Sequence, residues 1–267
     1  MKKMKDNHRP IILVTNDDGV KAKGIEALIE VVRPFGDVVV VAPFGAMSGM
    51  SHAITVKEPL FLTKLSEEEG LIVYATNGTP ADCIKLAFNQ VLPKKPDFVV
   101  SGINHGTNSS VSVHYSGTVG GAREAALYGV PAIGFSLLDH SSDADFTQAI
   151  EKSRTIFNYF LTHGLRSDVY LNVNIPSGDD VKGIKVCRQA KGGWIEEFEA
   201  RKDPRGNNYF WLTGRFQNNE PKSYDTDEWA LSQGYVSVVP CTIDLTHAEL
   251  LSELSESELN SEIVPEK

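Results

Sequence analysis

Four short runs of apolar, largely β-branched residues constrain this chain more than anything else in it: IILVT at 11–15, DVVVVA at 37–42, DFVVS at 97–101 and PAIGFS at 131–136. Such unalternating runs suit strands buried on both faces, as in a parallel sheet with helices on either side. The intervening segments supply those helices. Residues 24–33 place Ile25, Leu28, Ile29 and Val32 at helical spacing, and Pro34 and Gly36 close the helix. Thr79-Pro80-Ala81-Asp82 reads as a capped helix start running to about residue 90. Further helices are expected over 117–128 and 144–163, and VYLNVN at 169–174 as another strand. Residues 53–63 and 71–76 read as a hairpin lying over the sheet. The fold class is therefore α/β, a doubly wound, Rossmann-like, mostly parallel sheet spanning about residues 10–180.

Beyond that core the texture changes. Between Gly192 and Trp229 the chain carries Trp194, Tyr209, Phe210, Trp211 and Trp229 among charges and Asn/Gly turns. Exposed strands with several aromatics are often contact surfaces, so residues 181–250 read as a β-rich oligomerisation extension. A peripheral hairpin folded back on its own core fits the same residues. Residues 251–267 form an acidic tail expected to fray, and the whole reads as one domain over 1–267.

Composition excludes several roles. A net charge of −9 argues against binding large nucleic acids, which needs a basic surface. No run approaches the ~18 apolar residues of a membrane span, and the apolar run after the basic start is too short for a signal peptide. Cys83, Cys187 and Cys241 lie far apart without CxxC spacing, which fits unpaired thiols in a reducing compartment. The expectation is a cytoplasmic protein without a membrane partner.

Four polar loops follow the strands, and in an open α/β sheet ligands bind beyond the carboxyl ends. Asn16-Asp17-Asp18-Gly19 puts two hard anionic oxygen donors at one point, as magnesium or manganese prefers. Alone, NDDG is as readily a solvated turn. The loop from Ala42 to Gly49 is rich in small residues and adds the Ser48 hydroxyl. The loop from Ser101 to Asn108 offers the Asn104 amide oxygen, while His105 is a poor magnesium ligand and stays open as proton donor or spectator. Ser116 and Thr79 each begin a helix whose free amides and positive dipole end suit phosphate. Each feature has an ordinary structural explanation; together they offer two carboxylates, a hydroxyl, an amide oxygen and two phosphate-ready helix starts at one sheet edge. A dinucleotide-binding domain would need GxGxxG after the first strand, which NDDGVKAKG lacks. A binding module without chemistry would not need all four candidate metal ligands.

ILVTNDDGVKAKGIEAL, VVVVAPFGAMSGMSHAIT, NGTPADCIKLAF, DFVVSGINHGTN and YSGTVGGAREAALYGVPAIGFS, covering about residues 11–136, closely resemble the SurE family of stationary-phase survival proteins. These are metal-dependent nucleotidases. The resemblance implies hydrolysis of nucleoside 5′-monophosphates, and of 3′-monophosphates or short polyphosphate, by a metal-activated water. It implies one divalent ion per subunit, Mg²⁺ or Mn²⁺, held by Asp17, Asp18, Ser48 and Asn104. Asp17, Asp18, Asn104 and Ser116 are the expected catalytic group; Asn16, Thr79, His105, Gly117 and Thr118 are the expected substrate contacts. A homodimer or homotetramer with exchanged C-terminal segments is implied as well. The chain departs from many members at Asn108–His114, which bears on substrate preference rather than on the metal ligands.

Overall fold

The computed structural model describes residues 9–263. In chain order the core runs β1 (Ile11–Thr15), α1 (Lys23–Val32), β2 (Asp37–Pro43), β3 (Leu62–Glu68), β4 (Leu71–Thr76) and α2 (Pro80–Leu86), the last extended by a π-helical turn over Ala87–Val91. β5 (Phe98–His105), a 3-10 turn over Ser110–His114, α3 (Gly117–Leu127), β6 (Ala132–Leu137), α4 (Thr147–His163) and β7 (Val169–Ile175) follow. The remainder comprises β8 (Gly183–Val186), β9 (Gly192–Ile195), β10 (Phe198–Lys202), β11 (Asn208–Leu212), β12 (Arg215–Asn218), α5 (Asp227–Ser232), β13 (Tyr235–Thr242), α6 (Ala248–Ser255) and α7 (Glu258–Ile263).

The nine-stranded sheet has the order β3-β4-β2-β1-β5-β6-β7-β13-β8, and β4, β2, β1, β5, β6 and β7 are parallel. The strand runs are unalternating because both faces are covered. Ile12 and Val14 turn to a cluster with Ile25, Leu28, Ile156 and Phe157 of α1 and α4. Leu13 and Val99 turn to Ile84, Val119 and Ala122 of α2 and α3. At roughly 25 cal/mol per Å² of apolar surface removed from water, these two layers are the main favourable contribution to folding.

The direction of winding reverses at β1: the chain next builds β2 on one side of it, and later β5 on the other. Such a switch point leaves a crevice at the carboxyl ends of the two strands, where ligands of doubly wound folds bind.

Several expectations need correction. Residues 53–61 are not a strand, and β3 and β4 do not lie over the sheet: β4 joins it parallel to β2, with β3 antiparallel as the edge strand. The run LIVYAT buries best by extending an existing sheet, where its backbone groups find partners. β5 continues through His105 into what reads as loop, with a register shift against β6 between Ser101 and Asn104. The tail is helical through Ile263, because Leu250, Leu251 and Leu254 recur at helical spacing behind a His247 cap; residues 264–267 lie outside the described residues.

The extension divides in two. β13 inserts antiparallel beside β7, and β8 pairs parallel with β13, so both belong to the main sheet. β9–β12 and β10–β11 form separate two-stranded ribbons.

Candidate active site

All the polar loops of interest converge on the switch point. After β1 the chain turns through Asn16, whose Nδ2 donates to the Gly19 carbonyl at 3.0 Å. Gly19 adopts φ +102°, and a Cβ there would lie 3.1 Å from the Gly45 backbone, so this turn and the loop after β2 touch directly. Two backbone bonds join them, Met47 N–H to the Asp17 carbonyl (2.7 Å) and Val20 N–H to the Pro43 carbonyl (2.8 Å). The second loop, which carries Ser48, is thereby tied to the loop carrying Asp17.

Helix α3 forms the floor. Ser116 caps it, accepting the Val119 N–H at 3.0 Å, and the Thr118 hydroxyl donates to Asp17 Oδ1. Three glycines let the helix approach so closely. A Cβ at Gly117 would lie 2.8 Å from Asp17 Cβ; at Gly120, 2.3 Å from the Ser51 carbonyl oxygen; at Gly121, 3.0 Å from Thr15 Cγ2. Glu124, one turn further on and buried, accepts from His52 Nε2 (2.7 Å) and Lys85 Nζ (2.6 Å). Burial opposes ionisation of its carboxyl, but these two partners hold it below the usual range. The triad fastens the Ser48 loop to α2 and α3 together.

A cleft of about 610 Å³ opens above this floor, lined by Asp17, Ser48, Asn104, His105, Tyr115 and Ser116 among others. Asp17 is 3% exposed, and burial pushes its carboxyl up to about 6, opposed by the Thr118 hydroxyl and assisted by the charge of Asp18. Burial likewise raises Asp18, against the His105 N–H that it accepts at 3.3 Å. Among the described residues no lysine or arginine forms an ion pair with either. Asn104 spends its Nδ2 on the carbonyls of Gly106 (2.8 Å) and His105 (3.3 Å), which turns Oδ1 into its available acceptor. Beside them Asn16 Oδ1 is buried without a hydrogen-bond donor.

Two adjacent carboxylates lacking a cation, with neutral oxygens around them, form a donor set suited to a hard divalent ion. Among the described residues no group of three or more His, Cys, Asp or Glu side chains could hold a metal.

The expected site residues thus sort by position. Asp17, Ser48, Asn104, His105 and Ser116 line the cleft, and Asp18 meets it through the His105 backbone. Asn16, Gly117 and Thr118 sit behind Asp17 and set its position. Thr79 is not among the cleft-lining residues: its hydroxyl donates to the Ala53 carbonyl (2.7 Å) and accepts from Asp82 N–H in a capping box, which uses its one hydroxyl proton within the protein. Sequence reasoning left two wall residues outside the site, His140 unread and Trp194 read only as a contact aromatic of the extension. His140 packs over Gly106, where a Cβ would lie 2.1 Å from its ring, and Trp194 reaches the cleft from β9. Neither stands near a motif, so only the folded chain brings them in.

The departing loop is held firmly. Asn108 N–H donates to Asn174 Oδ1 (2.7 Å), its Nδ2 to Ser136 Oγ (2.8 Å), and its carbonyl accepts from Asn172 (2.8 Å). Asp227, wholly buried on α5, accepts the N–H groups of Ser110 and Ala190, each at 2.8 Å, and Ser109 donates to Glu228. The extension therefore fixes this loop.

A doubly wound α/β chain with two unpaired carboxylates at its switch point and a small-residue helix beneath them fits a class: enzymes acting on phosphorylated small molecules. The family described as survival protein SurE matches residues 12–196, and the chain belongs to that family. A relative from Phocaeicola vulgatus, a 5′-nucleotidase SurE, is 50% identical over 92% of this chain and 96% of its own length. Another 5′-nucleotidase SurE, from Christiangramia forsetii, is 52% identical over 94% of this chain and 98% of its own. The crystal structure of the SurE protein from Aquifex aeolicus superposes with a TM-score of 0.80 at 38% identity, covering 92% of this chain and 98% of that one.

Proposed function

We propose that this chain is a phosphoric monoester hydrolase, a divalent-metal-dependent nucleotidase that converts nucleoside 5′-monophosphates to nucleoside and phosphate. The observation that carries the reading is the Asp17–Asp18 pair, raised by burial and lacking a cation of the protein's own in a cleft that also presents Asn104 and Ser48. The 5′-nucleotidase names of relatives about half identical over nearly the whole chain support it.

Asp17, Asp18, Asn104 and Ser48 would hold one Mg²⁺ or Mn²⁺ per subunit. When bound, that ion supplies charge neutralisation at the phosphoryl oxygens and an acidified water. Phosphoryl transfer is otherwise largely positioning and electrostatic stabilisation, and the residues here serve those ends. Thr118 and Gly117 hold Asp17 in one orientation. The Ser116 hydroxyl accepts Val119 N–H and retains its proton to donate to a phosphoryl oxygen at the positive end of α3. His105 and His140, the two imidazoles on the cleft wall, are the groups able to give a proton to the leaving oxygen. Activity on 3′-monophosphates and short polyphosphate, a cytoplasmic setting and a homo-oligomeric assembly complete the reading. Among the described residues no helix is long and apolar enough to cross a membrane.

The test is phosphate release from 5′- and 3′-monophosphates, p-nitrophenyl phosphate and short polyphosphate after EDTA treatment, with and without added Mg²⁺ or Mn²⁺. Metal-restored release favouring nucleotides is expected. Undiminished release in EDTA would refute the metal assignment, and no release under any condition would refute the hydrolase reading.

A further inference from the structure

The cleft is longer than a phosphate requires. From Asp17, Ser48 and Asn104 it continues to Trp194, Leu212 and Thr213, which come from the extension rather than from the core. Trp194 also lines a second, adjoining cleft with Phe216, so the indole borders both.

Its placement is built rather than incidental. Trp194 lies directly across from Phe216 in the β9–β12 ribbon, with ring centroids 6.2 Å apart and planes inclined at 70°. The Phe216 ring folds over Gly192, where a Cβ would lie 2.4 Å from it, so glycine is required for this support. The ribbon is fastened in turn: Asp227 accepts the Ala190 N–H just before β9 and the Ser110 N–H at the start of the 3-10 turn. That turn ends at Tyr115, beside the Ser116 cap, and Tyr115 lines the same cleft. A single buried carboxylate thereby sets the distance between the aromatic wall and the phosphate end. Trp194 nonetheless keeps 37% of its surface exposed, which leaves part of the indole open to the cleft.

Resting on the hydrolase reading above, we infer that Trp194 is the nucleobase-stacking wall of the substrate cleft and so a specificity-determining residue. An indole offers a π-face to any base, and a purine covers more of it than a pyrimidine. Leu212 and Thr213 frame the base from the side. The chain thus distinguishes a nucleotide from other phosphate monoesters through a residue outside the metal-binding loops, supplied by the extension.

The experiment compares purine nucleoside 5′-monophosphate with ribose 5-phosphate, which keeps the phosphate and sugar but lacks the base. Trp194→Ala should lower kcat/KM for the purine nucleotide by roughly 5- to 150-fold, mostly through KM. Ribose 5-phosphate turnover should be unchanged, and Trp194→Phe should restore most of the nucleotide activity. Equal losses on both substrates would make Trp194 a structural support and overturn the inference, as would no loss on either. A reading without turnover comes from indole fluorescence in a Trp211→Phe, Trp229→Phe background, where Trp194 is the remaining tryptophan. The purine nucleotide should quench it and ribose 5-phosphate should not. Quenching in a protein that releases no phosphate would leave the base wall standing and refute the hydrolase reading. Catalysis without quenching would do the reverse.

Discussion

β6 and β10 show how differently two regions of one chain treat their side chains. Every residue of β6 is buried, whereas every residue of β10 and of its partner β11 is exposed, Phe198, Phe210, Trp211 and Leu212 among them. In the core, apolar side chains face inward and polar groups gather at one sheet edge, where they serve chemistry. In the ribbons, apolar side chains face outward while the hydrogen bonds run within the hairpin. An isolated two-stranded hairpin is marginal in water, and exposed apolar surface of this kind marks a contact site. The core thus buries its own apolar surface, whereas the ribbons leave theirs open to contact: Trp194 at the cleft and the aromatics of β10–β11 on the outside.

Tests that sharpen this contrast run from chemistry to surface. Asp17→Asn should reduce phosphate release by roughly 100- to 1000-fold or more, the scale of losing a charge-stabilising group in an active site. It removes a buried charge that has no cation beside it, so the variant should melt no lower than wild type in EDTA. A clearly lower melting temperature would mean that Asp17 is a structural residue.

Glu124→Gln comes next, because it leaves His52 and Lys85 without their shared carboxylate; a loss of about 2–4 kcal/mol in urea melts at neutral pH is expected. The sign with pH follows from the lowered carboxyl. Its contribution is present above the unfolded value near 4.5 and is lost as pH falls through the lower folded value. Wild type and variant should therefore converge on acidification, and a pH-independent difference would contradict the ionic role.

Gly120→Ala against Gly193→Ala compares the two regions directly. In the first, a methyl group meets the Ser51 carbonyl at 2.3 Å; in the second it meets nothing within 4 Å. The core substitution should cost about 1–3 kcal/mol and the ribbon substitution within about 0.5 kcal/mol. Comparable effects would mean that the ribbon is packed like a core. Smallest in stability is Phe210→Ser with Trp211→Ser, which should leave unfolding nearly unchanged while lowering the oligomeric state in sedimentation. An unaltered assembly would remove these aromatics from the subunit contact.

How much was legible from sequence depended on the range of the interactions. β1, β2, β5 and β6 announce themselves because double burial demands an unbroken apolar run, and α1 and α2 by periodicity and caps. Asp17 and Asp18 follow β1, Ser48 lies in the loop after β2, and Asn104 sits at the carboxyl end of β5, so the sheet topology brings these motif residues to one edge. LIVYAT is recognisable as a strand, but its position beside β2 depends on a partner 33 residues away, Leu71 pairing with Val38. Thr79 reads as phosphate-ready in sequence because a free helix start and one closed by its own capping box with Asp82 share one local sequence.

Sequence by itself determined the class of sheet, the edge that carries the polar loops, the family, and the residue types able to bind a hard cation. Each follows from local rules of burial period, turn chemistry and ligand hardness, which act within a few residues. Tertiary structure alone decided that β13 enters between β7 and β8, that Glu124 joins two helices and a loop, and that Asp227 ties the segment before Trp194 to the Ser110 turn. Those pairings join segments dozens of residues apart, and their energies arise only when burial removes the competing water from both partners at once.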